Sequence, residues 1–83
     1  MIELTGVKVG NILWSYVGTY NIDYHIKSKM YKSLFEYVKK HAIIRTTGTG
    51  RATRHIYDKT LVTKCISEWE TLTNVFDKYQ IRR

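Results

Sequence analysis

The residues able to do chemistry in this 83-residue chain are few and far apart. Three histidines, His25, His41 and His55, stand sixteen and fourteen positions from one another, and the one thiol, Cys65, follows ten positions later. Zinc fingers hold their ligands in close pairs, and metalloprotease helices set two histidines four apart; neither spacing occurs here. A site built from His41, His55 and Cys65 is geometrically possible, but the spacing argues against it and no metal is expected. There is no P-loop, no pair of carboxylates set for acid–base work, and no Ser-His-Asp or Cys-His arrangement beyond chance. Gly48-Thr49-Gly50 runs into a strand-like segment and not into a helix, so it lacks the helix N-terminus on which nucleotide loops rely. The chain reads as a non-enzyme without a cofactor.

What remains is charge. Lys and Arg number 14 against 7 Asp and Glu, a formal net of +7, which suggests a polyanionic partner. The excess is local: Lys27, Lys29, Lys32, Lys39, Lys40, Arg45, Arg51 and Arg54 face a single acid, Glu36, while the rest of the chain is balanced. Lysines that served only solubility would be interspersed with acids along the whole length.

A patch of this kind needs a scaffold. At 83 residues there is room for one core, and 43% hydrophobic residues with eleven aromatics are enough to build it. The apolar runs are far shorter than the roughly 18 to 20 residues needed to cross a bilayer, so no membrane span is expected. The single cysteine and the absence of a secretory leader lead us to expect an intracellular protein, in cytoplasm or nucleoid, or in a host cell if the chain is viral.

Val9, Leu13, Tyr16, Val17 and Tyr20 recur at helical steps and predict a first helix that Gly18-Thr19 breaks. Asn21 is the expected cap of a short second helix over 21–26, and Ser28 that of a third running to about His41. Met30, Leu34, Tyr37, Val38 and His41 form the inner face of that third helix, and Lys29, Lys32, Ser33, Glu36 and Lys40 its polar stripe. From Ala42 the pattern becomes β-branched, then Gly48-Thr49-Gly50, then β-branched again to Tyr57, which predicts a β-hairpin with Arg51 and Arg54 at or beside its tip. Asp58 or Thr60 should cap a last helix.

In that last helix Val62, Cys65, Trp69, Leu72, Phe76 and Tyr79 keep a heptad spacing. The stripe either closes over the domain's own core or, from Trp69 outward, packs against a second copy; a helix of nearly twenty residues on so small a domain favours the second. A homodimer through 60–80, with Trp69, Leu72, Phe76 and Tyr79 in the contact, is expected.

The succession of helix, short helix, basic-faced helix, β-hairpin and helix resembles the winged helix-turn-helix family. Lys29-Met30-Tyr31-Lys32-Ser33-Leu34-Phe35-Glu36-Tyr37-Val38-Lys39-Lys40-His41, leading into Ala42-Ile43-Ile44-Arg45, is similar to the family's recognition helix and its entrance to the wing. Thr47-Gly48-Thr49-Gly50-Arg51-Ala52-Thr53-Arg54-His55-Ile56-Tyr57-Asp58 is similar to the wing itself. The resemblance covers about residues 9–66. It implies an α+β fold of three helices, a hairpin wing and a long C-terminal helix over 60–80, and a small regulator of the kind viruses and plasmids encode.

It also implies sequence-specific binding to double-stranded DNA by a regulator of transcription, with helix 28–41 in the major groove and wing 45–57 on the adjacent minor groove or backbone. Lys29, Lys32 and Ser33 are the expected base contacts and Lys27, Lys39 and Lys40 are expected on phosphates; Ser28 is counted with the DNA contacts, and Tyr31 either stacks or reaches a phosphate, or supports the second helix. Thr49, Arg51 and Arg54 would touch the minor groove or its phosphates, and Arg45 either joins them or braces the hairpin. Two readings compete: an RNA-binding protein, or a module of a mobile element that docks on an acidic host protein.

Overall fold

The computed structural model describes residues 2–79, ordered β1 (Glu3–Thr5), α1 (Gly6–Val17), α2 (Tyr24–His41), β2 (Ile43–Thr47), β3 (Arg54–Asp58), α3 (Lys59–Thr73) and α4 (Val75–Lys78). A single 3-10 turn, Gly50–Ala52, lies between β2 and β3. The fold is α+β, with a three-stranded antiparallel sheet in the order β1-β3-β2.

Only two helices precede the hairpin, where the sequence predicts three. Asp23, and neither Asn21 nor Ser28, is the cap: its Oδ1 accepts the Ile26 backbone N–H at 2.9 Å. No glycine or proline interrupts the next eighteen residues, and Ile26 is in phase with Met30, Leu34 and Val38, so the helix runs unbroken through Ser28. The expected short second helix is thus the first turn of α2. Ahead of it, Thr5 caps α1 and Gly18 ends it.

The hairpin forms as expected, with Thr46 opposite His55 and Thr47 opposite Arg54, and a bulge between Ile43 and Arg45. At its end Gly48 and Gly50 take φ of +80° and +56°. The strand β1 has no counterpart in the prediction. Its Leu4 lies opposite Tyr57, and the carbonyl of Ile2 accepts the Lys59 N–H at 2.9 Å, so β1 closes the free edge of β3.

All three long helices turn one stripe to a common core: Val9, Leu13 and Val17 from α1, Met30, Leu34 and Val38 from α2, Val62, Cys65 and Trp69 from α3. Tyr57 and Leu4 complete it from the sheet. The long helix expected over 60–80 is broken, because Asn74 turns to the left-handed conformation at φ +51° and donates from its amide to Asp77 Oδ2 at 2.8 Å. Residue 80 lies outside the described residues.

A methyl group on Gly48 would drive into the carbonyl of Ala52, whereas one on Gly50 meets open space. Gly48→Ala should therefore cost about 1–3 kcal/mol and Gly50→Ala about 1 kcal/mol, the latter for backbone conformation alone. Urea midpoints of the two variants, expected to fall in that order, check the turn.

Candidate nucleic-acid interface

Once Met30, Leu34 and Val38 are buried, helical geometry fixes what the other side of α2 presents. His25, Lys29, Lys32, Glu36, Lys39 and Lys40 are all exposed on that side. Four of the predicted contact residues, Lys29, Lys32, Lys39 and Lys40, thus share one face of a helix about 27 Å long. His25 joins them in phase four residues before Lys29. Sequence reasoning misses it because a helix that starts at Ser28 excludes His25; the signal that includes it is Asp23 as the cap.

Other predicted residues point elsewhere. Lys27 stands three and seven residues before Met30 and Leu34, on the core side of α2, and is half-buried, as is Ser28. Ser33 faces α3, where its Oγ accepts the Trp69 Nε1–H at 3.1 Å. It does not join the basic stripe with Lys29 and Lys32. Tyr31 is half-buried with its ring edge-on to Trp14 at 5.3 Å and tilted on Phe35 at 5.7 Å. Its hydroxyl lies against Gly10, where a Cβ would approach to 2.8 Å.

Arg45 braces the sheet. Its Nη1 donates to Glu3 Oε2 at 2.7 Å and its Nη2 to Glu3 Oε1, a two-point ion pair from β2 to β1 across β3. Thr49, Arg51 and Arg54 are exposed at the far end of the hairpin. Thr53 holds the turn there by donating from Oγ1 to the Gly50 carbonyl at 2.7 Å.

Between α2 and the sheet lies an open groove of about 880 Å³, walled by Phe35, Lys39, Arg45, Arg54 and Tyr57 and reached from Val7 at the start of α1. A second depression of about 470 Å³ shares Gly6 and Val7 with it and is lined further by Gly10, Asn11, Trp14, Tyr24 and Tyr31. A third, over Tyr31, Lys32, Phe35, Glu36 and Lys39, joins the two along α2.

The heptad stripe divides. Val62, Cys65 and Trp69 are internal, with Trp69 only 2% exposed, while Leu72 is 73% exposed. Phe76 packs edge-on to Tyr20 at 5.8 Å, and Tyr79 is half-buried with the Lys78 ammonium 5.6 Å from its ring centre. The inner part of the stripe serves this domain's own core; of the proposed contact residues, Leu72 alone stands well out.

Tyr16 donates to Glu70 and lies 2.8 Å from the Tyr20 hydroxyl, tying α1 to α3. Burial, followed by the hydrogen bond to Glu70, pushes the Tyr16 phenol well above its ordinary range. The Tyr37 hydroxyl donates to Glu68 Oε2 at 3.0 Å, and that bond raises its pKa. Burial raises the Cys65 thiol, which packs as a small apolar side chain.

Among the described residues no three His, Cys, Asp or Glu side chains come together as a metal site, so His41, His55 and Cys65 do not meet in one. No helix among them is long and apolar enough to cross a membrane. No protein-family model, curated protein or solved structure matches this chain.

Hydrogen bonds from Arg45 hold the Glu3 carboxyl below its ordinary value near 4.5. A carboxylate whose pKa drops on folding adds stability that is fully present above the unfolded value and lost as pH falls through the folded one. Glu3→Gln should therefore be less stable than the parent at about pH 7, with the difference closing in acid below the ordinary carboxylate range; urea midpoints across that range measure it.

Proposed function

We propose that this protein binds double-stranded DNA, with α2 in the major groove and the β2–β3 hairpin against the adjacent minor groove or its phosphates, as a winged-helix-like regulator of transcription. The observation that carries the proposal is the basic face of α2: four exposed lysines and one acid, held opposite a buried apolar stripe. A helix of this kind has the diameter of the B-DNA major groove, about 12 Å wide, and cations in that position neutralise phosphates on both banks. The hairpin that follows α2 carries Arg51 and Arg54 as a second, separate contact, and the sheet order β1-β3-β2 gives it a rigid root.

Base-edge contact is assigned to His25, Lys29 and Lys32, nearest the N-terminal end of α2, the end that approaches bases when a helix enters the groove in this manner. Lys39 and Lys40 fall on the flanking phosphates. Arg45, occupied by Glu3, braces the root of the hairpin, and Ser33, occupied by Trp69, supports α2 from behind. A single copy makes both contacts, since Trp69 is committed to the domain's own core.

Lys29→Ala with Lys32→Ala should abolish the preference among sequences enriched from random duplexes. Arg51→Ala with Arg54→Ala should leave that preference intact, weaken affinity, and reduce the slope of log affinity against log salt by roughly 2. Titration of duplex DNA, single strands and RNA side by side reads these effects, and unaltered binding by both variants would discard the assignment.

A further inference from the structure

The exposed aromatics of α1 and α2 are not absorbed by duplex binding. Tyr24 is 73% and Trp14 39% exposed, the largest aromatic surfaces that the described residues offer to solvent. The Trp14 and Tyr24 rings meet at 5.8 Å and 66°, and Tyr31 meets Trp14 at 5.3 Å and 77°. Together with Gly10, Asn11 and Val7 they line the depression of about 470 Å³ between the two helices. Gly10 leaves bare backbone beside the Tyr31 hydroxyl, since a side chain there would collide with it. The Asn11 carboxamide is exposed on the wall.

We infer that this depression receives one unpaired nucleobase of the bound DNA, stacked on the exposed ring of Tyr24 with the Trp14 indole inclined against its edge. The inference rests on the duplex reading above and adds to it the kind of site preferred: a duplex with a base out of its stack. Three features favour a nucleobase over an apolar side chain of a partner protein. First, the depression opens along α2 onto Lys32 and Lys39, with Glu36 the only acid on that path, so it is continuous with a cationic track suited to a phosphodiester chain. Second, no carboxylate lines the depression itself, and Asp23, which precedes Tyr24 in the chain, is turned to the Ile26 N–H at the helix start. Third, the walls combine π faces with polar groups, the Tyr31 hydroxyl and the Asn11 amide, which can meet a base edge while the ring is stacked.

The test uses the full chain and three duplexes of one sequence: fully paired, carrying one extra thymidine, and carrying an abasic residue at that position. The thymidine bulge should bind about fivefold or more tightly than the paired duplex, and the abasic bulge should lose most of that gain. Trp14 emission should be quenched by the thymidine bulge alone, with Trp69, sealed in the core, contributing a constant background. Tyr24→Ala should bind the paired duplex as the parent does and lose the preference for the bulge, while Tyr24→Phe retains it; Tyr24 is exposed, so an unchanged unfolding midpoint is expected in both. Equal affinity for all three duplexes, with the paired one bound, would overturn this inference and leave the duplex reading standing. A preference that survives Tyr24→Ala would overturn it as well. Binding to none of the three would overturn both.

Discussion

Burial of Met30, Leu34 and Val38 fixes the rotation of α2 about its own axis, and the rest of the surface follows from it. A turn of about 100° per residue links the inner stripe to the outer one, so the lysines have no freedom to face anywhere else. The flanks are set by the same rotation. On one side Ser33 and Tyr37 reach Trp69 and Glu68 of α3; on the other Tyr31 and Phe35 reach Trp14 of α1 and Tyr57 of β3. A change of register in the core would therefore dismantle the basic face without touching a single cation.

The polar ties across the helices reinforce this arrangement. Glu70 accepts from Tyr16 and Glu68 from Tyr37, so α3 grips both α1 and α2 through carboxylates at its outer rim while its apolar stripe fills the space between them. Two of the chain's few acids are thereby committed inside the domain or along its back. Glu3 is committed likewise, to Arg45. Acids of the balanced remainder thus help hold the fold together, while Lys29, Lys32, Lys39, Lys40, Arg51 and Arg54 stay exposed on α2 and the hairpin end.

How much of this could be read from residues alone depended on the length of each pattern. The hairpin was legible because the change from helical to β-branched spacing spans two runs of five residues with glycines between them. The strand β1 was not, since three residues carry no period and its pairing is settled by Tyr57, more than fifty positions away. The boundary of α2 was ambiguous because Asn21, Asp23 and Ser28 can all cap a helix, and only the phase of Ile26 with Met30 separates them. Heptad spacing continued past Asn74 because it does not register one residue turning left-handed. Of the twelve predicted contact residues, the lysines on the outer face of α2 and the hairpin's outer arginines were legible from spacing. The partners of Ser33 and Arg45 were not, for both come from distant segments.

The bulge between Ile43 and Arg45 bears on how the molecule coexists with its own kind. Order β1-β3-β2 leaves β2 as an outer strand with one row of backbone groups unmatched, the sort of border along which chains can zip into fibrils. An irregular register bends that border, so a straight neighbouring strand finds no continuous line of partners. A bulged outer strand is by that geometry a poor template for a further strand from another copy.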